Sequence, residues 1–164
     1  MSGRGVYFAI NEDTYKELLS AQNDNELISI VQEKIEERWD KEWLLETDKA
    51  WDAIHRCLTD GKLEWENGEF PLNTVVIGGK NLYKGDDYIL MVIPKENTSL
   101  IAKALSNISK DILKEGYLKI QQSDYEYELG DEDFEYVWEY FKDFPNFFQK
   151  VAQSNKYIIF TVDL

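Results

Sequence analysis

The chain has 164 residues, a length at which one domain buries roughly 70% of the surface its unfolded form exposes. Its 18 Lys+Arg stand against 32 Asp+Glu, a formal charge of −14. That charge repels phosphate backbones and anionic lipid surfaces, so it argues against nucleic acid and membrane as partners. A basic protein partner, a bound cation or plain solubility each fit it. No stretch approaches the roughly 20 apolar residues of a membrane span, and the N-terminus has no apolar run of signal-peptide type. The single cysteine cannot form an internal disulfide, which fits a reducing compartment and predicts a cytoplasmic protein.

In chain order, "VYFAI" (Val6 to Ile10) reads as a first strand, short and rich in β-branched and aromatic residues. Asn11 caps the helix that follows, with Glu12 and Asp13 in its first turn. Leu27, Ile28, Val31 and Ile35 then share one face of a second helix, and Glu33, Glu36 and Glu37 face away. Thr47 is expected to cap a third helix, on which Ala50, Trp51, Ile54, Cys57 and Leu58 form an apolar stripe that Gly61 ends. "TVVIGG" and "YILMVI" are compact apolar runs that read as strands. Pro94 is placed at the first position of a further helix, whose stripe is Ile101, Ala104, Leu105, Ile108 and Ile112. A long last helix starts near Asp131, with Phe134, Val137, Trp138, Phe141, Phe144 and Phe148 inward and a kink at Pro145. "YIIFTV" (Tyr157 to Val162) closes the chain as a strand beside the first. There are no repeats or linkers, so the expectation is one helix-rich α+β domain spanning 1–164, with a small sheet that pairs the N- and C-terminal strands.

The third helix holds the only histidine and the only cysteine. Asp52 and His55 are neighbours at i,i+3, a spacing at which a carboxylate can orient an imidazole. Cys57 points to another side of the helix and cannot join them. Zinc needs about three His, Cys or carboxylate ligands, and no calcium-loop, Walker or dinucleotide pattern is present. The sequence therefore names no catalytic residue, metal or cofactor. Two readings stay open for Asp48, Trp51, Asp52 and His55. They line a small-molecule pocket, enzymatic or not, or His55 is a core-edge residue bonded to a backbone carbonyl.

The second candidate is "SDYEYELGDEDFEYVWEY", Ser123 to Tyr140, which carries no Lys or Arg. Asp131, Glu132 and Asp133 suit a helix start for structural reasons alone. Tyr125, Glu126, Tyr127 and Glu128 alternate in front of it, and Glu135 follows. Tyrosines interleaved with acids suit a protein interface, in which aromatic side chains anchor and carboxylates steer a basic partner. A solvated surface and a cation site are the alternatives.

The order of "RGVYFAI", "DKAWDAIHRCLT", "IGG" and "YILMVIPKENTSLIAKAL", closed by an aromatic-rich helix and a strand, resembles the bacterial YfbM-like family, a domain family of unknown function. Asp48, Lys49, Ala50 and Trp51, with His55, Leu58 and Thr59, carry the resemblance, which spans essentially the whole chain. It brings no established catalytic residues. The functional expectation is an acidic intracellular protein-binding module, monomeric when free, of the immunity or antitoxin type. A pocket protein and an accessory protein are the alternatives.

Overall fold

The computed structural model describes residues 3–164. Five strands form one antiparallel sheet in the order β2-β1-β5-β4-β3: β1 Gly5–Ile10, β2 Leu44–Asp48, β3 Lys80–Asn81, β4 Tyr88–Ile93 and β5 Tyr157–Asp163. The expected pairing of the terminal strands is present, in a register that runs from Gly5 opposite Val162 to Ile10 opposite Tyr157. Seven α-helices occur among the described residues: α1 Glu12–Ser20, α2 Asp24–Val31, α3 Trp51–Leu58, α4 Thr98–Ser106, α5 Lys110–Tyr117, α6 Asp131–Phe141 and α7 Phe144–Ala152. None is long and apolar enough to cross a membrane. This is an α+β domain.

Both faces of the sheet are covered. Alternate strand residues Tyr7, Ala9, Met91, Ile93, Ile158 and Phe160 join a large core with α3 to α7. Phe8, Ile10, Leu90, Val92 and Ile159 face the other way, onto Leu18 of α1, Leu27 and Val31 of α2, and Ile35 of the single π-helical turn after it. Burial on both sides explains why "YILMVI" and "YIIFTV" are continuous apolar runs and lack polar alternation. The large core is dense in rings: Tyr7 packs within 5.6 Å (centroid to centroid) of Phe144, Phe148 and Phe160. Its hydroxyl donates to the Val75 carbonyl at 2.6 Å.

Asn11 caps α1 as expected, its side chain accepting from the Thr14 amide at 2.9 Å. Thr47 does not cap α3. It lies in β2, fully buried, and its hydroxyl donates to the Gly5 carbonyl at 2.8 Å. The pairing of β1 with β2 skips it, because Gly5 faces Asp48 while Val6 faces Glu46. Such a bulge re-aims the next side chain, and here Asp48 emerges with φ +46°. "TVVIGG" forms no strand, although Val75, Val76 and Ile77 are buried, since the run folds as bends beneath the core. Pro94 is extended (φ −55°, ψ 136°) and precedes a 3-10 turn, with α4 beginning only at Thr98. The stripe assigned to one helix is split between α4 and α5, the latter capped by Ser109. Ile112 is consequently exposed and Leu113 buried. The long last helix is two, with Pro145 in the first turn of α7, where its missing N–H costs nothing.

Trp51 is fully buried and its indole N–H donates to the Gly3 carbonyl at 2.8 Å. Trp51→Ala should cost about 3–5 kcal/mol in chemical denaturation. Ile112→Ala should stay within about 0.5 kcal/mol of the parent. A large loss at Ile112 would mean that α5 is rotated from the position described.

Candidate functional site

α3 turns its polar side chains onto the segment that leads into α6. Asp52 and Arg56 are one helical turn apart, and both are buried, at 1% and 4% exposure. The Arg56 guanidinium reaches Asp52 Oδ1 through Nε at 2.6 Å, Asp124 Oδ2 through Nη1 at 2.8 Å and the Asp124 carbonyl through Nη2 at 3.0 Å. It also lies 5.5 Å from the centre of the Tyr125 ring. Burial works against its charge, but the two carboxylates outweigh that and hold its pKa above the usual value. An arginine so placed is a clamp. It fixes residues 124–125 against α3 with the planar, multidentate geometry that lysine lacks.

The clamp decides which residues of the acidic segment face out. Tyr125 is buried, and its hydroxyl donates to Asp133 Oδ2 at 2.8 Å, as does that of Tyr117. The Leu129 amide donates to the Gln122 side chain at 2.8 Å and the Gly130 amide to the Tyr117 hydroxyl at 3.1 Å. Tyr127 is half-buried. Glu126, Glu128, Asp131, Glu132 and Glu135 are exposed. Two of these acids have partners on α5: Asp131 with Lys114 at 3.3 Å and Glu135 with Lys110 at 2.9 Å. A cleft of about 550 Å³ opens here, lined by Tyr127, Glu128, Leu129, Gly130, Asp131, Glu132, Asp133 and Tyr136. Nothing lies within 4 Å of the position a Gly130 Cβ would take. The tyrosine–acid alternation is thus a division of labour, with rings fastening the segment and carboxylates facing water.

Asp48, Trp51, Asp52 and His55 are not brought into one pocket. Trp51 belongs to the core and Asp52 to the clamp. Asp48 lies toward α6: its Oδ2 accepts from the Tyr136 hydroxyl at 2.6 Å and its Oδ1 pairs with Arg4 at 3.2 Å. His55 is fully buried, with Nε2 at 2.9 Å from both the Glu64 carbonyl and Asn67 Oδ1. Asn67 is oriented by its amide, which donates to Asp60 Oδ1 at 2.6 Å and the Lys62 carbonyl at 2.8 Å. Both atoms near Nε2 are acceptors, so the ring proton sits on Nε2 and Nδ1 is left buried without a partner. The carbonyl contact is the one a core-edge histidine was expected to make. It pins the loop of residues 60–68. Burial also pushes the Cys57 thiol up, which leaves it a poor nucleophile. Among the described residues, no three His, Cys, Asp or Glu side chains converge as a metal site requires.

Sequence reasoning missed Arg56 and Asp124. The i,i+4 spacing of Asp52 and Arg56 was a usable signal, but the partner 68 residues away was not.

A two-sided antiparallel sheet with a clamped acidic segment on one flank makes this an α+β domain. The chain matches the family described as "Domain of unknown function (DUF1877)" over residues 1–161, and it belongs to that family. In three dimensions it is similar to the crystal structure of YfbM from Escherichia coli, a protein of unknown function. The TM-score is 0.71 at 15% identity, over 97% of this chain and 99% of that one. At that identity the likeness concerns the fold. No curated protein matches the chain in sequence.

Burial lowers the His55 pKa below 6.5, against the opposing pull of Asn67, the Glu64 carbonyl and Asp52. The unfolded chain therefore binds this proton first as pH falls. The stability due to neutral His55 is complete above about pH 6.5 and declines below it toward the folded pKa. The stability gap between the parent and His55→Asn, measured by urea denaturation, should shrink between pH 7.5 and 5.5. A constant or widening gap would contradict a buried neutral imidazole.

Proposed function

We propose that this chain is a cytoplasmic protein-binding module, monomeric until it docks a basic protein on its acidic face. An immunity or antitoxin protein that covers a basic toxin works in this way. The observation that carries the reading is the mounting of Glu128 and Glu132. Both line an open cleft on a segment held from beneath by Arg56, Tyr125 and Asp133, and neither makes an ion pair among the described residues. A merely solubilising surface needs charge but not a fixed shape. Carboxylates carried on a fixed backbone can meet a partner's lysines and arginines without the segment itself having to be ordered on binding. The net charge of −14 extends the attraction over the whole face and disfavours nucleic acid and membrane surfaces.

The test is kinetic. With a partner protein captured from the native host, expected to be basic, Glu128→Lys together with Glu132→Lys should slow association about tenfold or more and change dissociation much less. Association with the parent should slow as salt rises, because screening shortens to about 8 Å at physiological ionic strength. Unchanged association by the double variant, or a captured partner that is acidic, would overturn the proposal.

A further inference from the structure

A second cleft, of about 600 Å³, lies beside the first and is lined by Arg4, Gly5, Val6, Trp39, Glu46, Asp48 and Tyr140. The two meet at α6. Tyr136 lines the first, Tyr140 one turn later lines the second, their rings are 5.2 Å apart, and the Tyr136 hydroxyl holds Asp48. Volume and wall chemistry suit a ligand side chain, since pockets of roughly 300–1,000 Å³ with aromatic walls and a few polar groups are the usual binding geometry.

Two features of the walls stand out. Trp39 (φ +39°) and Asp48 (φ +46°) are the two non-glycine residues with positive φ among those described, and both line this cleft. A left-handed conformation is a rare one for a bulky residue. Trp39 is more than a third exposed, and its ring meets Phe8 edge-on at 5.8 Å. The charges are also unequal. Arg4 is matched by Asp48, whose other oxygen is taken by Tyr136, and the exposed Glu46 has no ion pair among the described residues. Tyr140 completes the wall, and besides burial it is the negative charge of Asp48 and Glu46 that disfavours loss of its proton.

A carboxylate that shares one cleft with two electron-rich rings, Trp39 and Tyr140, favours a cation there. A planar guanidinium fits better than an ammonium, because it stacks on indole and phenol faces while its N–H groups bond a carboxylate in two places. We infer that the Arg4–Trp39–Glu46–Tyr140 cleft receives an arginine side chain of the partner polypeptide. Further cationic residues of that polypeptide then lie over Glu128 and Glu132 across Tyr136. The inference deepens the acidic-face reading and rests on it for the nature of the partner. The arginine subsite itself can be tested without the partner.

The probes are N-acetylarginine amide and the pentapeptide acetyl-Lys-Gly-Arg-Gly-Lys-amide, titrated against the whole chain by ¹H–¹⁵N NMR. The Trp39 indole N–H, assigned by its absence in Trp39→Phe, is the reporter. Both probes should shift it saturably, and the pentapeptide should bind about tenfold tighter because it spans both clefts. Glu46→Gln and Tyr140→Leu, each checked for unchanged near-ultraviolet circular dichroism, should each weaken binding about tenfold. A silent Trp39 at saturating probe would overturn the inference, as would an equal response to acetate, which would place an anion on Arg4. Equal affinity for the two probes would also overturn it, in favour of a free small cation. A shifted Trp39 together with unchanged partner kinetics in the Glu128/Glu132 double variant would refute the acidic-face reading and leave the subsite standing.

Discussion

The buried guanidinium of Arg56 is the constraint on which the functional side of this molecule depends. Nearly sealed from water, it joins α3 to a segment 68 residues further on through Asp52 and both the side chain and the carbonyl of Asp124. A buried ion pair adds little net stability against an apolar alternative, but breaking one by removing a partner costs about 3–5 kcal/mol. Its value here is positional. With residues 124–125 fixed, Tyr125 enters the core, Asp133 meets two hydroxyls and the carboxylates between them have only the outward side left.

The sheet supplies the frame for that clamp. Because both of its faces are covered, α3 is wedged between strands and helices and cannot shift without opening the larger core. Its contact with α5 is equally tight. A Cβ on Gly116 would come within 2.1 Å of the Cys57 carbonyl, so glycine is required there for the backbones to approach. The polar edge of α3 is therefore a rigid mount, and the acidic segment inherits that rigidity at one end through Arg56 and at the other through Tyr117.

Much of the frame was legible in the sequence, and the failures have physical causes. β1 and β5 are short, β-branched and apolar, too apolar to be left at the surface, and they pair as that predicts. Val75 to Ile77 shows the limit of the same cue, for an apolar run reports burial and not conformation. β2 was invisible because "LLETD" lies at the sheet edge, half-buried and interrupted by a bulge, and Thr47 in it imitates a helix cap. Within the site, the exposed carboxylates could be read from composition. The inward turn of the tyrosines could not, because it depends on Arg56 and Asp133, and nothing local marks Asp124 as the partner of Arg56. Trp39 gave no sign of positive φ, which sequence reading expects at glycine, asparagine or aspartate, and Asp48 is only one of many aspartates.

Amide hydrogen exchange on Arg56→Met tests the clamp most directly, with Asp124→Asn as the milder change should the first variant fail to fold. The amides of Tyr125 and Leu129 are hydrogen-bonded within the segment and that of Gly130 to Tyr117 of α5; all three should lose protection, while those of β1, β4 and β5 keep theirs. Undiminished protection at residues 125–130 in a folded variant would contradict the claim that Arg56 shapes the acidic face.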